Sequence, residues 1–145
     1  MTSENISTIA FNVWSTGKPL DLEVLVDSEL VFEQTISKKT PVSININDDE
    51  EKTVSLKLIM KNKTADHTVI DSHGTILEDS VLEFSDIKID EIDIEEIFWF
   101  QAKYSHDFNG TGELTVENFY GSMGCNGTVE IDIITPMYMW LLENI

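Results

Sequence analysis

Apolar and acidic residues alternate along Leu82 to Phe98: Phe84, Ile87, Ile89, Ile92 and Ile94 are separated by Asp86, Lys88, Asp90, Glu91 and Asp93. A period of two puts branched side chains on one face of a pleated strand and carboxylates on the other. The phase slips once, at Asp90-Glu91, which predicts a two-residue hairpin turn or a bulge there. A half-buried antiparallel sheet follows from this stretch.

Similar segments fill the first half of the chain. Ile6 to Trp14 predicts an edge or first strand, stopped by Ser15 to Pro19. Leu20 to Val26 and Leu30 to Ile36 predict a hairpin around Asp27, Ser28 and Glu29. Val42 to Asn47 alternates again, Asp48 to Glu51 reads as an acidic turn, and Thr53 to Met60 is the next strand. A spacing of about ten residues per strand with turn signals between is the pattern of a β-sandwich.

The second half is less regular. Asp71-Ser72-His73-Gly74, flanked by β-formers, predicts a tight turn with Gly74 at positive φ. Glu95, Glu96 and Ile97 suggest one helical turn, and Phe98 to Tyr104 reads as an aromatic strand with Trp99 on its outer face. Val129 to Ile134 is the last clear strand. Thr135 as cap and Pro136 at the first helical position then start a short terminal helix over Met137 to Asn144. The expected fold is all-β, an antiparallel, jelly-roll-like sandwich with a short C-terminal helix, in a single domain over residues 1–145.

Charge narrows the choice of partners. The chain carries 27 acidic and 9 basic residues, a formal net charge of −18, and every basic residue is lysine. Without arginine and with so negative a surface, nucleic-acid binding is disfavoured. An acidic interaction or DNA-mimic role toward a basic partner stays as a third reading, behind a merely solubilising surface. The N-terminus is polar and acidic with no apolar run behind it, and no stretch approaches the ~20 apolar residues that cross a bilayer. A cytoplasmic origin and no membrane partner are expected.

Candidate chemistry is sparse. Cys125 is the only cysteine, which excludes an internal disulfide and any cysteine-rich zinc site; it reads as a small packing residue. No nucleophile elbow is present, and paired acids occur throughout, so no catalytic residues are assigned and no enzyme is expected. His67, His73 and His106 sit among acids without helical ligand spacing and read as surface turn residues. If calcium is held, the candidate ligands are loop oxygens of Asp66, Asp71, Asp107 and Asn109. Trp14, Trp99, Tyr104, Tyr120, Tyr138 and Trp140 read either as a stacking platform for sugar rings or as core and interface anchors.

Three patches carry a resemblance: His106-Asp107-Phe108-Asn109-Gly110, Phe119 to Thr128, and Thr135 to Asn144, with Asp86 to Asp93 upstream. These are similar to small uncharacterised proteins of tailed marine phages, cyanophages among them. The strand order also resembles calcium-dependent carbohydrate-binding β-sandwich modules, although no ligand loop matches residue by residue. The first resemblance implies a non-enzymatic virion accessory, a capsid decoration or a fibre- or tail-associated structural or adhesive component. Such a protein is made in the host cytoplasm and joins other virion proteins in an oligomeric assembly, with Trp99, Tyr138, Trp140 and Leu141 as contact residues. The second implies a calcium-dependent module for cell-surface polysaccharide.

Overall fold

Strand β1 (Ile6–Ser15) buries alternate residues, Ile9, Phe11 and Val13 among them, in the computed structural model, which describes residues 6–48 and 51–144. Strands β2 (Leu20–Val26) and β3 (Glu29–Ile36) form a hairpin around Asp27 and Ser28, whose φ angles of 49° and 70° suit the twist of the flanking strands. Strands β4 (Thr40–Asn47) and β5 (Lys52–Lys61) follow. Of the acidic turn expected between them, Asp49 and Glu50 lie outside the described residues.

After a 3₁₀ turn at Ala65–His67, β6 (Thr68–Ile70) and β7 (Ile76–Asp79) make a small separate hairpin. Its turn is the expected one: Gly74 has a φ of 81°, and Asp71 Oδ1 accepts the N–H groups of His73 and Thr75 at 2.8 and 3.0 Å. Strand β8 (Leu82–Ile89) turns through Asp90 and Glu91, at φ 47° and 71°, into β9 (Ile92–Asp93). Helix α1 (Glu95–Gln101), strands β10 (Lys103–His106), β11 (Thr115–Asn118), β12 (Ser122–Met123) and β13 (Gly127–Thr135), and helix α2 (Met137–Asn144) complete the order.

The long strands form two antiparallel sheets. One runs β12-β8-β1-β4 with β9 paired to β8; the other runs β11-β10-β13-β5-β2-β3. Their inward residues meet in one apolar core, with Ile9, Phe11, Val42, Ile44 and Ile89 from the first sheet and Leu22, Val24, Leu56, Leu58 and Ile131 from the second. Full burial of each such side chain is worth about 1.5–3 kcal/mol, so the alternation itself drives the two faces together. The fold is an antiparallel β-sandwich with a short C-terminal helix.

Three expectations need correction. Of the two readings of Ile6 to Trp14, the first strand holds and the edge position does not, because β1 lies between β8 and β4. The phase of β8 slips a first time before the Asp90 turn. Asp86 has a φ of 54°, and the β1–β8 register shifts between Ala10 and Asn12, so Phe84 and Ile87 both point inward across an odd gap. The third concerns Phe98 to Tyr104, which is not one aromatic strand: Phe98 to Gln101 belong to α1, and the strand begins at Lys103. Ile94, Phe98 and Ala102 are buried and Ile97 is partly buried, a helical spacing that places one edge of α1 on the core. Phe98 meets Phe119 edge-on at 6.0 Å between centroids, and Phe119 in turn meets Phe84 at 5.5 Å.

Candidate functional site

A groove of about 740 Å³ opens between α1 and the end of α2, lined by Trp99, Phe100 and Ile97 with Asp93, Glu95, Glu96, Gln101, Glu143 and Asn144. Local hydrogen bonds place its walls. The bulge at Asp86 frees a backbone N–H, which Glu95 Oε1 accepts at 2.7 Å, and Asp93 Oδ1 accepts the Glu95 N–H at 2.9 Å. Asp93 thus takes up the first N–H of α1, and Glu95 ties that first residue back to the bulge in β8, in keeping with the attraction of acids to a helix N-terminus. Once Phe98 is committed to the core, the helical turn carries Trp99 and Phe100 to the groove.

The two aromatic residues are held differently. Phe100 is 76% exposed. Trp99 is partly buried, and the chain passes close to its indole at Gly121. A Cβ there would lie 3.7 Å from Trp99 Nε1, and the φ of 98° disfavours any residue with a side chain.

Helix α2 forms the opposite wall. Met137, Trp140 and Leu141 are buried on one face, and Asp48 accepts the Met137 N–H at 2.7 Å. The cap is thus Asp48, from the end of β4, where Thr135 was expected; the Thr135 hydroxyl donates to Lys52 O. Gln101 donates to the Asn144 side chain, and Asn144 donates to Trp140 O at 2.7 Å, which ties the two helices at one end of the groove.

Among the groove acids, Asp93 and Glu95 each commit one oxygen to a backbone N–H, whereas Glu96 and Glu143 have no hydrogen-bond or ion-pair partner among the described residues. An exposed aromatic face beside carboxylate and amide oxygens suits a ligand that is apolar on one side and rich in hydroxyls at its rim.

A second, smaller groove on the outer face of β2, β3 and β5 is lined by Asp21, Glu23, Glu33, Gln34, Thr35, Lys61 and Asn62. Much of its polar capacity is satisfied internally. Thr35 and Asn62 donate to Asp21, and these bonds hold its carboxyl below the ordinary range, while Lys61 pairs with Glu23 at 2.8 Å. It also lacks an aromatic lining residue.

The residues singled out from sequence divide. Trp99 lines the groove and Tyr138 is 62% exposed, but Trp140 and Leu141 are core residues at 2% and 6% exposure and present almost no surface to a partner. Phe100, Gln101, Glu96 and Glu143 were not singled out. The Ile94, Ile97, Phe98 spacing is the sequence signal that would have shown α1 and hence its outer face.

The four candidate calcium ligands are not brought together as a site. Asp66 lies in the 3₁₀ turn, and Asp71 closes the β6–β7 turn. Asp107 accepts the Gly110 N–H at 2.8 Å, and Asn109 accepts the Asn126 N–H at 2.8 Å. Among the described residues no group of three or more His, Cys, Asp or Glu side chains could hold a metal ion.

The histidines are partly corrected as well. His73 lies in an exposed turn. His67 accepts the Thr64 N–H and donates to Pro19 O at 3.0 Å, pinning the 3₁₀ turn to the β1–β2 loop. His106 is buried, not a surface turn residue; it packs between Tyr104 and Phe108, with Nε2 donating to Glu117 at 3.2 Å. Cys125 is partly buried, and burial pushes its thiol up, away from nucleophilic use. The buried Tyr104 hydroxyl donates to Cys125 O and accepts the Cys125 N–H at 2.8 Å.

Neither protein-family models nor curated proteins match this chain. Among solved structures, the chain is similar to vCBM60, a carbohydrate-binding module, in complex with galactobiose. The match has a TM-score of 0.52 at 11% sequence identity and covers 87% of this chain and 99% of that one. What the two share is the β-sandwich fold.

Proposed function

We propose that this chain is a non-catalytic carbohydrate-binding module whose α1–α2 groove receives a short stretch of glycan. The observation that carries the reading is Phe100, 76% exposed beside Trp99 in a groove rimmed by carboxylates and side-chain amides. An aromatic face covers the C–H face of a pyranose ring, and acid and amide oxygens accept its hydroxyls. The shared fold with vCBM60 supports the same class of function. Asp21, Asp79, Tyr104 and Cys125, whose titration is displaced, all lie outside the groove, and each displacement has a structural cause in burial or local hydrogen bonds.

Recognition on this reading is by stacking and hydrogen bonding. Asp71, Asp107 and Asn109 are engaged in separate local hydrogen bonds and Asp66 lies in the 3₁₀ turn, so the reading gives calcium no part, and a chelator is expected to leave binding unchanged. The virion-accessory role expected from the sequence becomes that of a particle-borne adhesive module, made in the host cytoplasm and gripping cell-surface polysaccharide. Mass spectrometry of purified particles tests that placement, and absence of the chain from every particle fraction contradicts it.

The binding test is a glycan array, with galactobiose included because it is the ligand named for the matching structure. Binding by the wild type and its loss in Phe100→Ala are expected. Silence across neutral, cationic and anionic glycans overturns the reading.

A further inference from the structure

Building on the glycan-binding reading, we infer that the groove selects polysaccharides bearing free amino groups over their N-acetylated, neutral and uronic-acid counterparts. Four carboxylates line it, from Asp93, Glu95, Glu96 and Glu143, and no lysine does. Glu96 and Glu143 are exposed and have no ion-pair partner among the described residues. Lys88 stands opposite Asp93 in the β8–β9 ladder but forms no ion pair with it.

The contrast with the outer-face groove is instructive. There a lysine lines the wall and pairs with Glu23, Thr35 and Asn62 occupy both oxygens of Asp21, and no aromatic face stands beside the acids. At the α1–α2 groove no lysine lines the walls, and none of the four acids forms an ion pair among the described residues. The second half of the chain has the same negative balance, since residues 76–145 hold 2 lysines against 15 acids. The faces of Trp99 and Phe100 also attract cations through their ring quadrupoles, so stacking and charge favour the same ligand. A uronic-acid chain would bring carboxylates against this rim with no cation to receive them.

The test compares binding of the full chain to matched short oligomers: glucosamine, N-acetylglucosamine, a neutral galacto-oligosaccharide and oligogalacturonate. Summed over a few exposed charge contacts, the glucosamine oligomer should bind on the order of tenfold more tightly than its N-acetylated form at low salt. The preference should shrink as salt rises, because exposed contacts are screened. In a Glu96→Gln/Glu143→Gln double variant the ratio should fall toward one. Equal binding of the amine and N-acetyl forms, or an unchanged ratio in the double variant, overturns the selectivity while leaving the glycan reading in place. Glucosamine binding that persists in Phe100→Ala also overturns it, by showing diffuse attraction to an acidic protein. No binding to any oligomer instead removes the glycan reading itself.

Discussion

The carboxylate of Asp48 joins two distant parts of the chain, accepting the Met137 N–H at 2.7 Å through one oxygen and the Ser7 hydroxyl at 3.0 Å through the other. It fixes the first turn of α2 to the sandwich, and α2 supplies one wall of the groove. Asp48→Ala is expected to cost about 1–2 kcal/mol, as for loss of a helix cap. Because the wall loosens, glycan affinity should fall as well. Denaturant unfolding measures the first effect and a binding titration the second; unchanged values in both contradict the role given to Asp48.

Lys63 and Asp79 staple the loops at one end of the sandwich. Lys63 Nζ, with a side chain only 4% exposed, bonds Asp79 Oδ1 at 2.8 Å and Gly124 O at 2.6 Å, and Asp79 also accepts the Thr68 hydroxyl. Burial alone would raise the Asp79 carboxyl, but the hydrogen bonds from Lys63 and Thr68 and the lysine charge hold it below its ordinary value of 3.8. Asp79→Asn should cost about 2 kcal/mol near neutral pH, less than for a fully buried pair because the Asp79 side chain is 37% exposed.

The sign of the pH dependence follows from that lowered value. A depressed folded-state carboxyl contributes stability that is fully present above its unfolded value and is lost as pH falls through the folded one. The stability gap between wild type and Asp79→Asn should therefore be flat above about pH 5 and close below about pH 4. Comparing the two proteins at each pH cancels the general relief of repulsion as this acidic chain is protonated. Urea unfolding across the acid range checks this, and a gap that persists to the lowest pH contradicts it.

Trp140 and Tyr138 are two residues apart on α2 and should behave oppositely. Trp140 is 2% exposed, and Trp140→Ala should cost about 3–5 kcal/mol. Tyr138 is 62% exposed, and Tyr138→Ala should stay within about 0.5 kcal/mol. Thermal unfolding of both variants decides. Similar effects at the two positions would mean that α2 does not dock as described.

Most strands were legible because their alternation is strict: Leu20–Val26 is found at its expected bounds, and the Asp90 turn and the Gly74 turn are found where expected. The errors have physical causes that the letters also carried. Phe98, Trp99 and Phe100 favour strands by type, but the spacing of Ile94, Phe98 and Ala102 outweighs that local preference once one helical edge meets the core. Met137, Trp140 and Leu141 repeat at helical intervals too, which marks Trp140 and Leu141 as core. What no local pattern contains is the meeting of α1 with α2, more than thirty residues apart, which makes Glu96 and Glu143 part of one groove.

The central claim is that Trp99 and Phe100 form a sugar-binding surface, and intrinsic tryptophan fluorescence during a glycan titration reads it most directly. The chain has three tryptophans: Trp140 is buried, Trp14 has Lys39 5.5 Å from its ring, and Trp99 is in the groove. A saturable change in emission is expected for the wild type, unaffected by chelator and abolished in Trp99→Ala. A titration that leaves emission flat while the glycan binds, or a change retained in Trp99→Ala, would contradict the account.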